Sequence, residues 1–159
     1  MNQRTHPTVA SSNCAIAPPP RARITFADAM TLYPDVPYEY TATAQGIVFA
    51  AGACPLDLEG RIVAPGDIEA QALRAAENLL EALSEAGANS TNLLKTTIYV
   101  VAEERSDLVR VWDVVSERLG RAPSTLLGVS FLGYPDQLVE IEAVATAGTE
   151  IRRVATTTP

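Results

Sequence analysis

Between Arg121 and Ala145 the chain reads RAPSTLLGVSFLGYPDQLVEIEAVA, two β-rich runs joined by Gly133, Tyr134, Pro135 and Asp136. Turn-forming residues between two such runs predict a hairpin. In the second run successive side chains point to opposite faces, so Val139, Ile141 and Ala143 share one face and Glu140 and Glu142 the other. The apolar set belongs in a core, and two carboxylates point away from it. Two readings of that pair are open. It is a solvated strand face, or it closes over a cleft in which one carboxylate holds a water or a proton.

Elsewhere the chain supplies the elements that such a strand needs. Residues 1 to about 20 are rich in Ser, Thr, Asn and Pro and end in Ala17-Pro18-Pro19-Pro20, so residues 1–22 are expected to form an extended or disordered arm. Arg23 to Phe26 is a candidate first strand. A hairpin follows, with strands over Tyr38–Ala44 and Ile47–Ala53 and a Gln45-Gly46 turn whose glycine supplies positive φ. Glu59-Gly60 is a further turn. Apolar spacing at Ile68, Ala72, Ala76, Leu79, Leu80 and Leu83 predicts a helix over Ile68–Ala86, with Asp67 as N-cap, Glu69 in its first turn and Gly87 as its stop.

Leu93–Val101 is dense in β-branched and aromatic residues and reads as a buried central strand. Ser106 is placed to cap a second helix that carries Leu108, Val111, Trp112, Val115 and Leu119 on one stripe and ends at Gly120. The order β-β-α-β-α-β-β predicts an α+β domain over residues 23–148, one mixed sheet with two helices on one face, followed by a polar tail at 149–159. A sheet covered on one side leaves the other in need of a partner. Leu126, Gly128 and Val144 are assigned to that second face.

Charge and residue usage exclude several functions. A net charge of −7, with 12 scattered basic residues of which Lys95 is the only lysine, disfavours binding to a phosphate backbone. No apolar run approaches the roughly 18 residues that a membrane span needs. Two cysteines, Cys14 and Cys54, make no disulfide framework, and the first residues lack the apolar core of a secretory signal, so the cytoplasm is expected. With a single histidine, His6, the chain offers neither a transition-metal cluster nor a Ser-His-Asp arrangement.

The Arg121–Ala145 stretch resembles the signature of the reactive-intermediate deaminase family, also called Rid or YjgF. Ala122, Pro123, Leu127, Ser130, Leu132, Val139, Glu140 and Ile141 fall on it in register, and the resemblance extends through PYEY at Pro37–Tyr40, AGACPLD at Ala51–Asp57 and LLKTTIYV at Leu93–Val100. It covers roughly residues 35 to 147. The resemblance implies a chorismate-mutase-like fold and a homotrimer with a barrel-like centre and clefts between subunits. It also implies hydrolysis of enamines and imines to ketones and ammonia, with no cofactor or metal, because the imine carbon is already electrophilic. By position, Glu140 falls on the family glutamate that holds the water, Tyr38 on the tyrosine that lines the cleft, and Gly52 on the glycine of the strand-end motif.

Three positions depart from the pattern. Ser124 stands where the family has an arginine, Ala51 replaces the usual serine, and Trp112 falls where many members have an asparagine. An arginine fork holds a substrate carboxylate by two hydrogen bonds of about 1.5–3 kcal/mol each, against about 1 for a hydroxyl. The expected substrate therefore lacks the small α-carboxylate, with Ser124 giving a weak polar contact and Trp112, Leu126 and Ala51 lining the site. Each residue also has a plainer role: Trp112 as core, Tyr38 as a strand aromatic, Lys95 as structural, and Cys54 as a small buried hydrophobe rather than a nucleophile. The alternatives to an imine or enamine deaminase or tautomerase are a non-catalytic ligand-binding or chaperone-like trimer, and a pathway-specific enzyme for cyclisation or aminomuconate-type deamination.

Overall fold

The computed structural model describes residues 24–26 and 31–148. The expected arm and tail, and with them His6 and Cys14, lie outside the described residues. Six strands form one sheet: β1 (Thr25–Phe26), β2 (Thr41–Ala44), β3 (Ile47–Ala53), β4 (Leu93–Val101), β5 (Ser124–Val129) and β6 (Val139–Thr146). Helices α1 (Ile68–Glu85) and α2 (Arg105–Leu119) pack on one side of it. The strand order is β1-β2-β3-β6-β4-β5.

The expected hairpin of the last two runs does not form. β6 inserts between β3 and β4, antiparallel to both, while β5 lies parallel to β4 at the sheet edge. The cause is α2, which carries the chain from β4 back to the start of β5 and so makes that pair parallel. Residues 130–138 must then cross β4 to reach the slot of β6, a gap of two strand spacings, about 10 Å, that a tight turn cannot bridge. The β2–β3 hairpin does form, on Gln45 at φ 52° and Gly46 at φ 77°. Positive φ at both central residues gives the turn a twist that matches its strands.

Local chemistry sets the element ends. Asp67 caps α1 by accepting from the Ala70 amide, and Gly87, at φ 76°, follows the Ala86 C-cap. Helix α2 begins two residues earlier than a Ser106 cap would place it. Glu104 is its N-cap, and the Asp107 carboxylate accepts from the Glu103 and Glu104 amides, while Ser106 only donates to Glu104. The strand expected from Tyr38 starts at Thr41, because Tyr40 instead turns its hydroxyl onto the Tyr33 carbonyl.

Alternation divides the sheet. Val139, Ile141, Ala143 and Ala145 of β6 join Ile98 and Val100 of β4 and Val48 of β3 in a core closed by Leu79 and Leu83 of α1 and Val111 and Val115 of α2. Leu126 and Gly128 pair with Ile98 and Val100 and therefore lie on this helix side, not on the second face expected for them. The helix-free face carries Phe26, Phe49 and Leu127, all exposed, with Val144 among them. Phe49 is 53% exposed.

Three polar residues of α1 fix the loops that flank the sheet. Gln71, fully buried, donates to the Asp136 carbonyl at 2.9 Å and accepts from the Leu138 amide at 2.8 Å. Arg74 donates to the Leu56 carbonyl, and Asn78 donates to the Cys54 and Leu56 carbonyls at 2.8 and 3.0 Å. One side of one helix thus holds both the segment after β3 and the segment before β6.

Candidate active site

The two segments gripped by α1 meet at one end of the helix-free face and leave a cleft of about 280 Å³ between them. Its floor comes from Ala51, Gly52 and Cys54 at the end of β3, and its walls from Tyr38 on one side and Gly133 and Tyr134 on the other. Glu140 enters from β6, on the side of that strand opposite the buried Val139 and Ile141.

Glu140 is oriented by three neighbours. The Gln137 side-chain amide donates to its Oε2 at 3.0 Å, and the Cys54 thiol donates weakly to the same oxygen at 3.6 Å. Gly52 lies directly beneath it. A Cβ at that position would stand 1.9 Å from Oε1, so only glycine leaves room for the carboxylate. Gln137 is itself buried and accepts from the Tyr134 amide at 3.1 Å, which ties the carboxylate to the Gly133–Tyr134 wall.

The Cys54 thiol and the Tyr38 and Tyr40 phenols are held in their neutral forms. Burial, followed by the Glu140 charge, pushes the Cys54 thiol up to about 12, so it is a proton donor and not a thiolate. Burial pushes Tyr40 up to about 12 as well, and pushes Tyr38 above its ordinary range with Cys54 and Tyr134 as the next causes. The Tyr38 and Tyr40 rings meet edge to face, 5.9 Å apart. Such a site offers one carboxylate as proton acceptor, neutral donors beside it, and aromatic walls.

The structure brings Tyr38, Ala51, Gly52 and Glu140 together around this cleft and does not bring Ser124, Leu126 or Trp112 to it. Ser124 pairs with Thr96, their hydroxyls 2.7 Å apart, and faces the helices. Leu126 packs against the core on that same side. Trp112 is on α2, 38% exposed on the helix layer, with the sheet between it and Glu140. The reason is the parallel β4–β5 register, which turns even-numbered residues of β5 to the helices while even-numbered residues of β6 face away. Lys95 lies away from this cleft, lines a second hollow with Phe49 and Glu142, and donates to Thr125.

Gln137, Tyr134 and Gly133 belong to the site and carried no signal of their own beyond a turn. The clue lay in the spacing: Gln137 is three residues before Glu140, close enough for a side chain bending back along the chain to reach it. Among the described residues, no three His, Cys, Asp or Glu side chains gather as metal ligands would. Among the same residues, no helix is long and apolar enough to cross a membrane.

Comparison with known proteins matches this architecture. The family model described as Endoribonuclease L-PSP matches residues 29–147. A RutC family protein of Pyrococcus abyssi is 33% identical over 110 residues, 69% of this chain and 85% of that protein. One from Synechocystis is 32% identical over 116 residues, 71% of this chain and 88% of that protein. Among solved structures, a protein of unknown function of the conserved Rid family from Yersinia pestis superposes with a TM-score of 0.71 at 25% identity, covering 79% of this chain and all of that one. A YjgF family member from Mycobacterium tuberculosis superposes with a TM-score of 0.64 at 27% identity, over 79% of this chain and 100% of that one. With the fold and nearly the whole described region in common, this chain belongs to the Endoribonuclease L-PSP family, the group that also carries the names YjgF and Rid.

Proposed function

We propose that the cleft hydrolyses or tautomerises a small imine or enamine that lacks an α-carboxylate, with Glu140 as the base. The observation that carries this is the fixed carboxylate, aimed into a cleft by Gln137 over Gly52 and flanked by the Cys54 thiol. In hydrolysis, a water next to Glu140 gives up a proton to the carboxylate as its oxygen bonds to the imine carbon. The C=N electron pair moves to nitrogen, which takes the proton held by Glu140, and a carbinolamine results. Its C–N bond then breaks as Glu140 moves the hydroxyl proton to the departing nitrogen, and a carbonyl compound and ammonia are released. An enamine enters the same route after proton transfer to its β-carbon, and that transfer with loss of the N–H proton is tautomerisation to the imine. Tyr38 orients the substrate from the wall of the cleft.

The proposal includes assembly as a homotrimer. Support comes from the helix-free face, which exposes Phe26, Phe49 and Leu127 and on which the cleft opens. Unpaired apolar groups on one sheet face are stabilised by burial against further copies. The cleft would then lie at a seam between copies.

Ammonia release from freshly generated imines, with and without an α-carboxylate, tests the chemistry, alongside light scattering for mass. Turnover that falls by a factor of about 10² or more in Glu140→Gln, with the fold kept, is the expected result. Equal turnover by that variant overturns Glu140 as base. No turnover of any imine, together with saturable binding, favours a ligand-binding protein on the same scaffold.

A further inference from the structure

The charge balance of the cleft goes beyond the class of reaction. Among the described residues of one copy, Glu140 is the only charged side chain lining it, and both of its side-chain partners, the Gln137 amide and the Cys54 thiol, are neutral. Among the described residues no Lys or Arg pairs with it: every ion pair there is on the outer surface, joining Arg61, Arg110 or Arg118 to other acids. A half-buried carboxylate without a counter-ion lacks its most favourable partner. Two of the walls are tyrosine rings, whose faces attract cations within about 6 Å.

From this geometry we infer that the cleft selects a cation, a small iminium or ammonium group next to a flat ring, over neutral or anionic molecules of the same shape. The inference rests on the cleft being a substrate site for C=N compounds and names the form of substrate it takes. The protonated imine carries its positive charge across carbon and nitrogen, so a carboxylate beside it favours the form whose carbon is most open to attack by water. An anionic ligand meets the opposite field. The Cys54 thiol, held protonated first by burial and then by the Glu140 charge, responds to that same field. At about 280 Å³ the cleft is just below the roughly 300–1,000 Å³ usual for ligand pockets, which restricts the substrate to a compact one.

Calorimetric titration of the full-length protein with N-methylpyridinium, its neutral isostere toluene, and the anionic flat ring benzoate tests the selection. The expected order is N-methylpyridinium tightest and benzoate weakest, with the cation weakening as salt is raised. Glu140→Gln should weaken N-methylpyridinium roughly tenfold or more and leave toluene unchanged, and Tyr134→Leu should weaken the cation by a smaller factor. Benzoate or toluene binding as tightly as the cation, no binding of any probe at millimolar concentration, or a Glu140→Gln variant with unchanged cation affinity overturns the inference. Imine turnover without cation preference removes this inference and leaves the proposed reaction standing. Cation preference without turnover of any imine does the reverse.

Discussion

Gly52→Ala isolates the packing on which the site depends. The new methyl carbon would stand 1.9 Å from Oε1, 2.6 Å from Cδ and 2.9 Å from Cγ of Glu140, and every one of these atoms belongs to a single side chain that can rotate. Relief comes from swinging the carboxylate away. That movement breaks its 3.0 Å bond from Gln137, a charged hydrogen bond worth about 1.5–3 kcal/mol. Replacing glycine by alanine returns about 0.4–1 kcal/mol by restricting the unfolded chain. The net expectation is a loss on the order of 1–2 kcal/mol, with the fold intact and the imine turnover gone. Gly128→Ala is the control, since nothing lies within 4 Å of its Cβ. Urea denaturation of both variants, and of Gly52→Ala combined with Glu140→Ala, gives the coupling directly. If the clash is with Glu140, Gly52→Ala costs nothing further in the Glu140→Ala background, where the carboxylate and its bond from Gln137 are already gone. Equal stability of the two glycine variants, with turnover unchanged in Gly52→Ala, refutes the argument.

Two other outcomes follow from the same contacts. Asn78→Ala removes one donor each from the Cys54 and Leu56 carbonyls, which keep the Leu56 amide and the Arg74 guanidinium, so a loss of about 1–3 kcal/mol is expected, seen as a lower urea midpoint with an unchanged slope. A loss below about 0.5 kcal/mol would show that α1 does not hold the cleft floor. Cys54, raised in the folded protein from 9.0 to about 12, contributes stability that is complete below pH 9 and is lost as pH climbs from 9 through 12. Tyr40, raised from 10.0 to about 12, acts in the same direction above pH 10. In a Cys14→Ser background the urea midpoint should fall between pH 8 and 11, less so after Cys54→Ala, and iodoacetamide should label Cys54 far more slowly in the folded protein than in urea. Fast labelling at pH 8 without denaturant would contradict a buried, protonated thiol.

The parts of this molecule that were legible are those set by local periodicity. Strand β4 and helix α1 follow from runs in which each residue's neighbours in space are its neighbours at spacing two or four. The pairing of β5 was not legible for the opposite reason. Turn residues at Gly133–Asp136 report only that the chain bends, and whether the next strand lies beside the last or one strand beyond is decided by α2 and the slot beside β3. Ser124, Glu140 and Gly52 were assigned to the cleft through the family resemblance rather than through strand pairing. Within one chain, the register of β5 against β4 turns Ser124 and Leu126 to the helices. Glu140 and Gly52 lie on the β3–β6 pair and meet at the cleft.

That pair contains the irregularity that makes the cleft. Ala50 opposes Ala143 and Ala53 opposes Ile141, so three steps along β3 match two along β6, an added residue at Ala51–Gly52. Without it, the alternation that buries Val48 and Ala50 would bury Gly52 and turn Ala53 outward. With it, Ala53 returns to the core and the following residue, Cys54, comes opposite Glu140 on the helix-free side, which is where the thiol and the carboxylate meet at 3.6 Å. The extra residue also puts the smallest side chain of the strand under the carboxylate. A run of small residues such as Ala50-Ala51-Gly52-Ala53 has no apolar and polar alternation to reveal a bulge. The geometry that sets apart one glutamate of an alternating strand as the half-buried carboxylate of the cleft, and leaves Glu142 two residues later bonded to Tyr99, therefore originates in its neighbour strand.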